Sequence, residues 1–117
     1  MDGRVFHLRK LFLSDLARIW SIEEMARSVE LSPPHLHKLF KSNLGISPLA
    51  YLHNLRLEKA RELLETTFLQ IKQIANQTGL HDDSHFTRDF KGRFGLAPTK
   101  YREHCWEREQ SNPLAGL

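Results

Sequence analysis

Apolar side chains recur every three to four residues along almost the whole chain, the spacing of amphipathic helices. Val5, Leu8, Leu11, Phe12 and Leu16 predict a first helix over 5–17. Ser21 opens a second, with Glu24 in the capping-box position and Ile22, Met25, Ala26 and Val29 as its buried stripe. In Leu31-Ser32-Pro33-Pro34 the serine is a cap and Pro33 suits the first helical position; Leu36, Leu39, Phe40 and Leu44 then mark a third helix, ended by Gly45. A longer helix starts at Ser47-Pro48 and runs to about Leu64. It is apolar at Leu49, Leu52, Leu55, Ala60, Leu63 and Leu64, with Arg56, Glu58, Lys59, Arg61 and Glu62 mostly solvated. After a break at Thr66-Thr67, a fifth helix spans about 70–78 and stops at Gly79. Asp82 or Asp83 is placed to cap a sixth, which runs to about Arg93 with Phe86, Phe90 and Phe94 as its inward stripe. Pro98 opens a last short helix to about Trp106, and the tail 110–117, with Asn112-Pro113 and Gly116, is expected to fray. No segment alternates as a strand does, so the expected fold class is all-α.

The pattern repeats. Ile22, Met25, Ala26 and Leu31 recur about fifty residues on as Ile71, Ile74, Ala75 and Leu80. After one extra residue in the second copy, Leu36, Lys38, Phe40-Lys41 and Gly45 recur as Phe86, Arg88, Phe90-Lys91 and Gly95, and Pro48 and Tyr51 as Pro98 and Tyr101. Two copies are too few for a solenoid, which needs at least about three repeats to bury a continuous core. Each copy is two helices joined by about three residues, the second opening with a cap, which is the outline of a helix-turn-helix.

The length of 117 residues suits one domain or two very small lobes sharing a core. No apolar run approaches the roughly 20 residues of a membrane span, and no signal-peptide core follows Met1-Asp2-Gly3-Arg4. A single cysteine, Cys105, excludes an internal disulfide framework and suits a reducing cytoplasm. The net charge of +3 and sequence pI near 9.2 favour a polyanionic partner.

Other chemistries fit less well. His81 and His85 are four apart, a zinc-ligand spacing on one helix, but an aspartate cap between them puts His81 before the helix start. His35 and His37 face different directions, and Cys105 lacks a cysteine partner, so no metal site and no cofactor are expected. There is no glycine-rich phosphate loop and no nucleophile with a base and orienting partner, so the chain is not expected to be an enzyme. A helical protein-interaction module without DNA binding is the alternative; it explains the amphipathic helices but not the paired register.

Gly79-Leu80 with Ser84, Phe86, Arg88, Phe90-Lys91, Phe94-Gly95, Pro98 and Tyr101-Arg102 closely resembles the signature of the arabinose-regulator (AraC/XylS-type) transcription factors. Ile22, Ala26, Leu36, Phe40-Lys41, Gly45, Ser47-Pro48, Tyr51 and the run Leu55-Arg56-Leu57-Glu58-Lys59-Ala60 agree as well. The resemblance covers about 5–104. It implies a seven-helix domain with helix-turn-helix lobes at about 5–46 and 67–104, joined by a long central helix at about 48–65. It further implies a recognition helix from each lobe in successive major-groove segments of double-stranded DNA. Those segments lie about 34 Å apart, and a helix of roughly 25 Å at about 1.5 Å per residue spans that distance if the DNA bends or the lobes splay.

The resemblance carries base contacts to Pro34, His37 and Lys38 in the first lobe and to Asp83, Ser84, Thr87 and Arg88 in the second. Lys41, Lys91 and Arg93 are the phosphate candidates, which hold register without specifying sequence. Lys38 stands where the family usually has arginine and loses the planar fork of a bidentate reader. Arg88 is expected to read guanine or to clamp a phosphate. Asp83 caps its helix or accepts from a cytosine amino group. Arg56 is expected to pair with an acid inside the fold. The family's habit is activation through RNA polymerase, and its members often carry a separate effector-binding or dimerisation domain. Either this chain is a stand-alone regulator or it is the DNA-binding part of a longer protein; the second is the expectation.

Overall fold

The computed structural model describes residues 2–81 and 83–111, of which 83, 110 and 111 by backbone only. Its described residues form helices and no strand: α1 Gly3–Ser14, α2 Ile22–Ser28, α3 Pro33–Leu44, α4 Pro48–Thr66, α5 Ile71–Thr78, α6 Asp83–Phe94 and α7 Pro98–Ser111. The expected cap at Asp82 and the expected frayed tail beyond Ser111 lie outside the described residues. The chain divides into two compact units, one ending at Arg56 and the other beginning at Leu57. The central helix α4 is therefore no free-standing spacer.

In the first unit Val5, Leu8 and Phe12 of α1 pack with Met25 and Ala26 of α2, Leu36 and Phe40 of α3, and Tyr51, Leu52 and Leu55 from the first half of α4. In the second, Leu57, Ala60 and Leu64 from the rest of α4 pack with Ile74 and Ala75 of α5, Leu80, and Phe86 and Phe90 of α6. These are the stripes that helical periodicity predicts. Leu49 departs from them: Pro48, Tyr51 and Leu52 fill the inward side of the first turns of α4, and Leu49 is left exposed.

Caps begin the helices where the serines stand. The Oγ of Ser21 accepts from the Glu24 N–H at 3.1 Å, that of Ser32 from the His35 N–H at 3.4 Å, and that of Ser47 from the Ala50 N–H at 3.1 Å. In place of a serine, α5 has Gln70, whose N–H donates to the Gln73 side chain at 2.8 Å. Helix α1 stops at Ser14, short of Ala17; the Arg18 N–H closes a single turn onto the Asp15 carbonyl at 3.3 Å, and side chains also reach the carbonyls of this connection. The Trp20 indole donates to the Asp15 carbonyl at 3.2 Å, and the Arg56 guanidinium to those of Leu16 and Arg18, each at 2.9 Å. Leu16 still enters the core, from the connection rather than the helix. At the other end, α7 runs past Trp106 to Ser111, and the Trp106 ring lies 5.4 Å from that of Phe68.

The turn inside each repeat is closed the same way. The Leu31 N–H reaches back to the Ala26 carbonyl and the Leu80 N–H to that of Ala75, both at 2.9 Å. The residue between must be left-handed. The second copy uses Gly79 at φ 82°, but the first uses Glu30 at φ 58°, which costs a side-chain-bearing residue roughly 1 kcal/mol. Glu30→Gly is therefore expected to stabilise the first unit by about 0.5 kcal/mol, after the larger unfolded-state entropy of glycine is subtracted. Gly79→Ala is expected to destabilise the second unit by roughly 1 kcal/mol. Urea denaturation of the two variants checks both signs.

Candidate nucleic-acid interface

In α3 the fully buried Leu36 and Phe40 fix which way the helix faces. Pro34, His35, His37, Lys38 and Lys41 are consequently all exposed. The helix ends where Gly45, at φ 76°, turns its N–H to the Lys41 carbonyl at 3.0 Å. Beside this face a shallow groove is lined by Arg4, Leu31, His35, Lys38, Leu39 and Ser42. Helix periodicity gave no reason to bring Arg4 there. Its guanidinium is held by the Asp2 carboxylate at 3.2 Å, so much of its charge is answered locally.

Helix α6 repeats the arrangement. Phe86 and Phe90 are buried and Phe94 is partly so; Ser84, His85, Thr87, Arg88 and Lys91 are exposed. Gly95, at φ 88°, sends its N–H to the Lys91 carbonyl at 2.8 Å. Of the residues expected to read bases, Pro34, His37 and Lys38 thus share the outer side of α3, and Ser84, Thr87 and Arg88 that of α6. Asp83 is the first residue of α6, and its side chain is outside the described residues. Arg88 is 70% exposed, with its Nε 3.2 Å from Asp89 Oδ1.

Arg93 behaves differently from Lys41 and Lys91. Its guanidinium donates to Glu58 Oε1 on α4, from Nη2 at 3.0 Å and from Nε at 3.3 Å. Arg61 holds the other Glu58 oxygen at 3.1 Å and reaches Glu65 at 3.1 Å, and the Tyr101 hydroxyl donates to Glu65. Partial burial alone would raise the pKa of Glu58, but the hydrogen bonds from Arg93 and Arg61 outweigh it and hold the carboxyl below its ordinary value. Burial, and then the hydrogen bond to Glu65, push the Tyr101 phenol up. An arginine expected at the DNA backbone is thus tied to the central helix.

Arg56 is structural, as expected, but its partners are the Leu16 and Arg18 carbonyls and not an acid. Burial moves its pKa below the usual arginine value. Arg102 has a similar part in the second unit. It donates to the carbonyls of Leu64 at 3.1 Å, Thr67 at 3.2 Å and Leu69 at 2.6 Å. Each arginine secures the segment that leads into its own helix-turn-helix. His81 precedes α6, and among the described residues no group of three or more His, Cys, Asp or Glu side chains could hold a metal ion. No helix among the described residues is long and apolar enough to cross a membrane.

A helix-turn-helix domain family model matches residues 25–104. The arabinose operon regulatory protein of Escherichia coli is 35% identical over 92% of this chain and 37% of its own length. The lactose operon transcription activator of Staphylococcus xylosus is 39% identical over 72% of this chain and 30% of its own length. The chain therefore spans about a third of the length of these curated relatives. Among solved structures, a transcriptional regulator with an AraC-type DNA-binding domain from Chromobacterium violaceum superposes with a TM-score of 0.81 at 28% identity, covering 94% of each chain. Match, relatives and paired fold agree: the chain belongs to the arabinose-regulator (AraC-type) family, a family of helix-turn-helix DNA-binding transcription regulators and not of enzymes.

Proposed function

We propose that this chain binds double-stranded DNA sequence-specifically, with α3 and α6 entering successive major-groove segments, and that it activates transcription from the cytoplasm of a bacterium. The observation that carries the reading is that α3 and α6, the second helix of each helix-turn-helix, bury their inward stripes and leave the opposite side polar and exposed. An α-helix of that kind fits the major groove of B-DNA. Pro34, His37 and Lys38 meet one set of bases, and Asp83, Ser84, Thr87 and Arg88 the other. Pro34 has no donor and offers only apolar contact, for instance to a thymine methyl. Lys41 and Lys91 contact phosphates; Arg93 does so only by leaving Glu58. RNA polymerase is the proposed partner in activation. The longer relatives support the view that an effector-binding domain accompanies this part.

Two results are expected from binding assays with duplex DNA. The association constant falls steeply with salt, because neutralised phosphates release their counterions. Arg88→Ala weakens binding by about 1–3 kcal/mol and relaxes the preference at one base pair, whereas Lys41→Ala and Lys91→Ala weaken all sequences alike. An unchanged preferred site in the Arg88→Ala variant would remove that residue from the base readers. No binding to any duplex would favour a helical protein-interaction module without DNA binding instead.

A further inference from the structure

The side chain most suited to reading a base does not stand alone. Arg88 projects into solvent at 70% exposure, yet its Nε lies 3.2 Å from Oδ1 of Asp89, which is 30% exposed. A guanidinium has a side edge containing Nε and an end edge made of the two Nη groups. With the carboxylate on Nε, the end edge stays available as a two-pronged donor, and guanine presents O6 and N7 as a matching pair of acceptors in the major groove. The carboxylate has a second effect. It offsets the charge that would draw Arg88 to a phosphate and repels the phosphate itself. Both effects select a base edge over the backbone.

We infer that Asp89 is a positioning residue that holds Arg88 as an end-on reader of guanine and withholds it from the phosphates. The inference rests on the DNA-binding reading above and narrows it from a base-or-phosphate contact to one base. The repeat gives independent support. In the first copy the residue after Lys38 is Leu39, so neither the fork nor the carboxylate is present at the matching place. The second unit has both.

The test uses duplexes that the wild-type chain selects from random sequence, changed one pair at a time at the position where Arg88→Ala relaxes preference. Wild type is expected to favour guanine there by about tenfold or more. Asp89→Asn should reduce that preference to within about threefold while leaving affinity for a non-specific duplex unchanged or tighter, since a negative charge has gone. Asp89→Glu should recover part of the preference. In an Arg88→Ala background Asp89→Asn should change nothing further at that pair. A purely structural aspartate would instead lower all affinities together. A guanine preference that survives Asp89→Asn, or an equal loss on every duplex, overturns the inference. One measurement needs no variant: in the wild-type complex with its selected duplex, the Arg88 Nε–H should be protected from exchange, and a freely exchanging Nε–H also overturns it. If the wild type bound no duplex at all, the DNA-binding reading would fail first; binding with indifference to Asp89 removes only the positioning role.

Discussion

Phe90→Ala is expected to destabilise the second unit by about 3–5 kcal/mol, the cost of emptying a well-packed aromatic site. Phe90 is fully buried at the meeting point of three rings, with centroids 5.9 Å from Phe86, 4.6 Å from Phe94 and 5.4 Å from Tyr101. Two of these contacts are edge-on, an arrangement that adds to simple burial. The neighbours belong to α6 and α7, so the hole would be flanked by helices tied down elsewhere and unable to collapse fully. A unit of about sixty residues has a total stability on the order of 3–9 kcal/mol, so the loss takes most of it. Thermal unfolding followed by circular dichroism should show the second unit melting well before the first. A shift below about 1 kcal/mol would mean that the aromatic cluster repacks around the gap.

Arg102→Ala is the second large effect expected, at about 2–4 kcal/mol. Its guanidinium is the shared donor for the Leu64 carbonyl, in the last turn of α4, and for the Thr67 and Leu69 carbonyls of the connection to α5. The final carbonyls of a helix have no partner within it, and hydrogen bonds from a charged donor contribute about 1.5–3 kcal/mol. The side chain also lies 5.2 Å from the centre of the Trp106 ring. Burial lowers its pKa from the ordinary arginine value. Lysine carries the charge but lacks the planar fork that meets several carbonyls at once, so Arg102→Lys should recover less than half of the loss. Denaturant midpoints of the two variants measure this, and amide exchange should quicken over 67–70 before the rest of the unit opens. Full stability in Arg102→Lys would show that charge, and not the fork, does the work.

Much of this was legible in the sequence, for a reason that also marks the limit. The faces of the helices follow from local spacing: Leu36 and Phe40, or Phe86 and Phe90, share a side at any regular helix, whatever they pack against. Ser21, Ser32 and Ser47 act within three residues of themselves, so their caps were readable too. The partners of the arginines were not. Arg56 bonds to carbonyls 38 and 40 residues away, Arg93 to a carboxylate 35 away, and Arg102 to carbonyls 33 to 38 away. Charge and spacing alone leave an acid, a phosphate or a carbonyl equally available to each. For Glu30 a signal did exist. Aligning Leu31 with Leu80 sets Glu30 against Gly79, and a glycine in one copy is a hint that the other copy also needs a left-handed residue.

The outward residues carry the functional claim, and they are where the two copies diverge. His37-Lys38 stands in α3 where Thr87-Arg88 stands in α6, on scaffolds whose buried residues correspond. If the outward residues read bases as proposed, one scaffold used twice with different outward residues calls for an asymmetric site. Selection of bound sequences from random duplex DNA tests this most directly. Enrichment of one site made of two unlike boxes is expected, with the sharper preference in the box that Arg88→Ala relaxes. A palindromic site, or no enrichment over the starting pool, would contradict it.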